Sequence, residues 1–348
     1  MSKKRKKPVS PTGNLGNKQT DSDRLQQSGV ADQVTRSYWQ QWIDAWNRFW
    51  FTPADPALLG LLRILVGGML FYTHLVWSME LQTFFGNGDE TILPASYRGS
   101  AVLPSYMWSH FDWIGSQLLW PVHIAALIVF ALFTVGLFTR VTGVLSVLLL
   151  ISYTNRSFGT QFGLDQINGF LAIYLALGPS GQFASFDCWR ARRRGKKSEQ
   201  GRAATSSTLA NISIRLIQVH LCVVYFFAGM AKLQGEFWWN GEAIWGAIAN
   251  HEYQTIDVTW LGEQMWLINL ITFSALIWEV TYPFLIWPKL TRPIFLTMAI
   301  FVHLGIGLCM GMLTFGLIMV FANLAFLSPT TVRRWLEKIL PNSLCTNI

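Results

Sequence analysis

From residue 57 to residue 327 the chain alternates long apolar stretches with short polar breaks. Eight such stretches can be drawn: 57–78, 118–138, 141–154, 163–177, 209–231, 265–287, 293–310 and 312–327. A helix needs about 20 apolar residues to cross a hydrocarbon core of about 30 Å, and most of the eight approach that length. The third is short. Inside lipid a backbone must satisfy its own hydrogen bonds, which leaves helices or a closed barrel. These runs are continuous rather than alternating, which argues against a barrel. Of 348 residues 51% are hydrophobic and 13% charged, against about 25% charged in a soluble domain. The 17 tryptophans suit a chain whose indoles sit at membrane interfaces. The expected fold is an all-α polytopic membrane protein, a bundle of about eight transmembrane helices.

Eight crossings would return both termini to one side. Lys3–Lys7, Arg140, the basic run from Arg190 to Arg202, Lys289, Arg292, Arg333, Arg334 and Lys338 would share that side. Arg98, Arg156 and Lys232 would lie opposite, among the acids Glu236, Glu242, Glu252, Asp257 and Glu263. By the positive-inside rule both termini are expected in the cytoplasm, with the chain in the cell (inner) membrane. The net charge of +8 is then a topology signal, and no nucleic-acid partner is expected.

Residues 1–34 are polar and basic and read as a disordered cytoplasmic tail. In 35–52, Trp39, Trp42, Ile43, Trp46, Phe49 and Trp50 recur at helical spacing. This predicts an N-terminal interfacial amphipathic helix whose partner is membrane lipid. Asp55 and Pro56 then suit the cap and first residue of a helix. The transmembrane domain is drawn at 53–329, and 330–348 is expected to be a short cytoplasmic tail.

Polar residues inside apolar stretches carry the functional signal, because lipid cannot solvate them. On a helix over 209–231, Asn211, Arg215, Gln218, Cys222, Tyr225, Gly229 and Lys232 project into a sector of about 80°. Lys232 ends that seam, flanked by Phe227, Leu233, Phe237 and Trp238. A partly desolvated amine there is a candidate catalytic base. A snorkelling interfacial lysine is the plainer reading. Glu279, in the sixth stretch, must be protonated or paired. Arg63 and Arg215 belong to the same half of the membrane by position, so an intramembrane network of Arg63, Arg215 and Glu279 is expected. Arg63 alone could also be an interfacial anchor. Asp165 and Asn168 open the fourth stretch at the expected depth of Lys232. They either help line a site with Tyr225, Trp239 and His303 or cap their helix. His220 projects away from the seam and reads as packing. The four scattered cysteines suggest neither a disulfide framework nor a zinc site, and no metal is expected. No HExxH, GxSxG, Walker A or Rossmann motif is present.

Phe227-Ala228-Gly229-Met230-Ala231-Lys232-Leu233, with Trp239 and Gly241 after it, resembles the lysine segment of the vitamin K-dependent γ-carboxylase membrane domain. That domain is the horizontally transferred transmembrane (HTTM) domain. Asp55-Pro56 before the first stretch, and His303 ahead of Phe315-Gly316, are similar to the same family. The resemblance spans about 53–329. It implies a lysine that deprotonates reduced vitamin K or menaquinol, with O2 consumed, an epoxide formed, and CO2 added to a glutamate of a peptide or protein substrate at the exoplasmic face. Lys232 matches that lysine. The family's histidine near the fourth stretch has no counterpart, because Leu164 stands there. Two functions follow as expectations: a quinol-dependent, carboxylase- or oxygenase-like lyase, or a non-catalytic membrane protein that binds a lipid or peptide. A transporter is a third.

Overall fold

The computed structural model describes residues 37–86, 91, 107–157, 159–193 and 206–339. The expected tail at 1–34 and most of the basic run after Arg193 lie outside the described residues. Every regular element among them is helical: α1 (Tyr38–Phe51), α2 (Ala57–Trp77), α3 (Leu81–Phe85), α4 (Leu119–Val135), α5 (Thr139–Arg156), α6 (Gly163–Leu177), α7 (Phe186–Arg193), α8 (Thr208–Lys232), α9 (Glu236–Trp239), α10 (Ala243–Ile248), α11 (Met265–Leu285), α12 (Arg292–Cys309), α13 (Leu313–Asn323) and α14 (Pro329–Ile339). The all-α class and the multi-pass membrane character hold.

The expected count of eight crossings is not established. Among the described residues, five helices are long and apolar enough to span a membrane: 57–85, 116–135, α8, α11 and α12. A sixth results if α13 and α14 count as one span, but the chain bends by 117° between them. α5 carries too many polar residues to pass, and α6 is short. The reason is packing: Thr139, Thr142, Ser146 and Ser152 of α5 are buried against protein rather than facing lipid.

Tyr38, Trp39, Trp42, Trp46 and Phe51 of α1 are exposed, with Trp42 and Trp46 stacked 5.5 Å apart. From Trp50 onward the chain is one unit. Its core is built by Leu58, Leu62 and Val66 of α2, Phe130 and Phe133 of α4, Leu171 of α6, Leu221 and Tyr225 of α8, and Tyr282 of α11. The polar seam of α8 faces inward as projected: Asn211, Gln218, Cys222, Tyr225 and Gly229 are all buried.

The two ends of this unit meet. The Asp55 carboxylate accepts the Ala57 backbone N–H at 2.9 Å, which satisfies an orphan donor of the first turn of α2. The same carboxylate holds Arg333 of α14 in a two-pronged pair, at 2.5 and 2.7 Å. Ala54 also exchanges backbone hydrogen bonds with Ser207, just before α8. The stretch expected as a tail from residue 330 therefore begins as a helix, with Val332 and Leu336 buried.

Arg63 corrects another expectation. It is fully buried and does not snorkel. Its guanidinium donates to the carbonyls of Ser180 at 2.9 Å and Ala184 at 2.5 Å, closing the loop that follows α6. Cys188 is disulfide-bonded, which the scattered spacing did not suggest.

Candidate functional site

α8 and α11 pack so closely that Gly229 lies on the backbone of Val280. A Cβ on Gly229 would sit 3.1 Å from the Val280 nitrogen and 3.2 Å from its Cα. A side chain there would be in tight contact with that backbone, so the helices would have to give by a few tenths of an ångström. The approach sets their stagger, and the stagger carries Lys232, one turn beyond Gly229, to Glu279, next to Val280. Lys232 Nζ and Glu279 Oε2 are 2.6 Å apart, with side chains 27% and 11% exposed. Trp238, in α9, places its ring 5.3 Å from the ammonium. Trp239 faces outward, and its indole N–H caps the Leu233 carbonyl at 2.8 Å. Pro283 lies inside α11, four residues after Glu279, so it cannot donate to the Glu279 carbonyl as a helix residue would.

The expected network of Arg63, Arg215 and Glu279 is thereby corrected. Glu279 is paired with Lys232, and Arg63 binds the loop carbonyls. Arg215 donates to the Gln218 side chain at 2.9 Å and lies over the Trp287 ring. The error came from assigning depth by counting along each stretch, which assumes that neighbouring helices start level. α11 instead runs well past the end of α8.

Behind the pair lies a buried hydrogen-bond chain. The Tyr282 hydroxyl donates to Asn323 Oδ1 at 2.6 Å. Asn323 Nδ2 donates to the Tyr225 hydroxyl at 2.9 Å. That hydroxyl lies 2.7 Å from His303 Nε2. The amide gives the chain a direction, because Tyr225 accepts from Asn323 and has one proton left to give. Given to Nε2, it leaves the neutral imidazole with its proton on Nδ1, a buried atom with no partner among the described residues. Gly316 makes the site compact, since a Cβ there would strike the His303 carbonyl. Phe315 meets the His303 ring edge-on at 6.0 Å.

Tyr225 and His303 are thus joined, and Tyr225 lies on the same face of α8 as Lys232, two turns before it. Asp165 acts as a cap, accepting the Phe162 backbone N–H at 3.1 Å. Asn168 is buried on α6 with an unpartnered Oδ1. Phe315, which also lies on Gly163 of α6, links that helix to His303. Asn323, Tyr282 and Trp278 were missed. The signal available for Asn323 was a lone amide in an apolar helix. His220 is a packing residue, bonded to the Tyr174 hydroxyl at 3.0 Å and stacked on Phe170.

The HTTM domain family model matches residues 51–330. The chain belongs to the HTTM domain family. No curated protein and no solved structure matches it. The matched HTTM region includes Asp55, Lys232, Glu279, His303 and Asn323, and so covers the whole site. Among the described residues no group of three or more His, Cys, Asp or Glu could hold a metal ion.

Proposed function

We propose that this HTTM protein is a membrane enzyme acting on a lipid-soluble quinol, with Lys232 and Glu279 together as its proton-accepting unit. The observation that carries the reading is the 2.6 Å pair between them, partly open at the end of α8. In the resting ion pair the two groups hold one proton fewer than they can carry. Taking one more gives an ammonium beside a neutral carboxyl, so the pair can serve as a base although the lysine is already charged. Proton transfer from a quinol would leave a quinolate anion, and the Lys232 ammonium that remains would offset its charge.

Reduced vitamin K or menaquinol would supply, when bound, an acidic hydroxyl and reducing electrons for O2. The residues present fit such a group. Lys232 and Glu279 would take its hydroxyl proton, and the unpartnered His303 Nδ1 is a donor for an oxygen. Trp238 offers apolar contact beside the ammonium. Asn323 and Tyr282 hold Tyr225, and through it His303, in one orientation. A carboxylase-like outcome would further require CO2 and a peptide or protein glutamate.

We further infer that both termini are cytoplasmic, in the cell (inner) membrane. The pairing of Asp55 with Arg333 supports an even number of crossings. The basic residues Arg140, Arg190 and Arg334 belong to the end where that pair sits.

One observation favours a second reading. A lysine in a close ion pair is also what a structural staple looks like, in which case the site would bind a lipid or peptide without chemistry. The two readings separate in nanodiscs given reduced vitamin K or menaquinol and O2. Under the enzyme reading wild type forms epoxide, detected by mass spectrometry, and Glu279→Gln and Lys232→Ala do not. Quinol binding without epoxide in any form moves the binding reading to first place. Absence of quinol binding in folded wild type removes the quinol proposal.

A further inference from the structure

We propose that the end of the bundle formed by α7 and α14 is a docking surface for anionic phospholipid headgroups, with α14 lying along the membrane plane. The inference is independent of the site at Lys232.

α14 leaves the last helix of the bundle at 117°, close to perpendicular to it. Val332 and Leu336 pack its inner face on the core, and the Arg333–Asp55 pair pins it to the start of α2. Arg333 also lies over the Phe183 ring at 4.4 Å. The helix is therefore held in place rather than trailing.

The outward side of α14 is divided lengthwise. At 100° per residue, Arg334 and Lys338 fall at about 0° and 40°, Trp335 and Ile339 at about 100° and 140°, and buried Val332 and Leu336 at about 160° and 200°. Trp335 is 52% exposed and Ile339 77%. An exposed apolar strip thus lies between the protein-facing side and a basic strip. That order suits a helix at a lipid surface, with its apolar strip among the acyl chains and its basic strip level with the phosphates.

Two more cation–ring pairs lie at this end: Arg190 lies over the exposed Phe138 and Arg193 over the half-buried Trp189. Phe138 and Phe186 are exposed. The neighbouring acids are already engaged. Asp187 accepts the backbone N–H groups of Phe138 and Thr139, and Asp55 and Glu337 bind Arg333. What faces outward is positive charge interleaved with apolar rings. A soluble phosphate would have no use for the exposed Trp335 and Ile339, whereas an anionic lipid uses both parts.

The test titrates phosphatidylglycerol, phosphatidylcholine or inorganic phosphate into the full chain in neutral detergent and reads the shift in Tm. Wild type is compared with Arg334→Gln/Lys338→Gln and with Trp335→Glu, each against its own lipid-free baseline. Phosphatidylglycerol is expected to raise the Tm of wild type, with phosphatidylcholine and phosphate inert. The double charge variant should need about 30-fold more phosphatidylglycerol, from about 1 kcal/mol per basic residue at an anionic surface. Trp335→Glu should weaken the response without removing either basic side chain. Equal midpoints in wild type and the double variant, or an equal response to phosphatidylcholine, would overturn the proposal. A response reproduced by inorganic phosphate would replace the lipid surface with a simple anion site.

Discussion

Gly229 rests on the backbone of Val280, and this contact brings Lys232 and Glu279 within 2.6 Å of each other. A side chain at position 229 therefore acts on the ion pair without touching it. Gly229→Val is expected to separate α8 from α11 and to lower stability by about 1–3 kcal/mol through overpacking. Crosslinking between cysteines introduced at positions 232 and 279 should be efficient with Gly229 in place. It should fall several-fold when Gly229→Val is added. Unchanged crosslinking would show that the glycine does not set the stagger.

Removing one member of the pair differs from removing both. Lys232→Ala leaves a carboxylate buried without its counter-ion, and the expected loss is about 3 kcal/mol. Lys232→Met/Glu279→Leu removes both charges and should regain most of that stability. Epoxide formation should stay absent in the double variant even though its Tm recovers. A double variant that forms epoxide would exclude the pair from the chemistry.

The His303 chain is held by one amide. Asn323→Leu breaks the bonds to both Tyr225 and Tyr282 and leaves their hydroxyls buried. A loss of about 2 kcal/mol is expected, from the usual penalty of about 1–3 kcal/mol for an unsatisfied buried group. Asn323→Asp can accept from Tyr282 but cannot donate to Tyr225. It should free Tyr225 to turn, and the change should register in the His303 imidazole 15N shifts of labelled protein. Identical shifts in Asn323→Asp and wild type would refute the relay.

The Asp55–Arg333 pair ties the first helix of the bundle to the last. A double-mutant cycle with Asp55→Asn and Arg333→Gln, read by thermal unfolding, should give a coupling of about 1–2 kcal/mol, in the range for hydrogen bonds to charged groups. Asp55→Asn alone should also increase amide hydrogen exchange in α14, since it removes the charge that anchors the helix. A coupling near zero would mean that Val332 and Leu336 hold α14 without it.

Much of the architecture could be read from local pattern. The apolar runs located α2, α4, α8, α11 and α12 within a few residues, because lipid imposes a length and a composition on each span individually. The seam on α8 was legible for the same reason, since helical period alone places Gln218, Cys222, Tyr225 and Gly229 on one face. The two other runs counted as spans, the polar α5 and the short α6, were less secure. Their Thr, Ser and Asn side chains are acceptable only because other helices cover them, and no single stretch reports what covers it.

The sequence by itself determined the helical membrane class, the identity of Lys232, Glu279 and His303 as intramembrane polar groups, and the resemblance to the HTTM family. Tertiary structure alone decided which of these groups meet. Glu279 could be matched with Arg63 by counting residues, yet it belongs to Lys232, and Arg63 belongs to the carbonyls of Ser180 and Ala184. Helical period is a property of one chain segment and repeats about every 3.6 residues. The stagger between two helices depends on the close fit of surfaces far apart in sequence, here one glycine against one backbone. A shift of one turn, about 5.4 Å, is enough to exchange every partner along the seam.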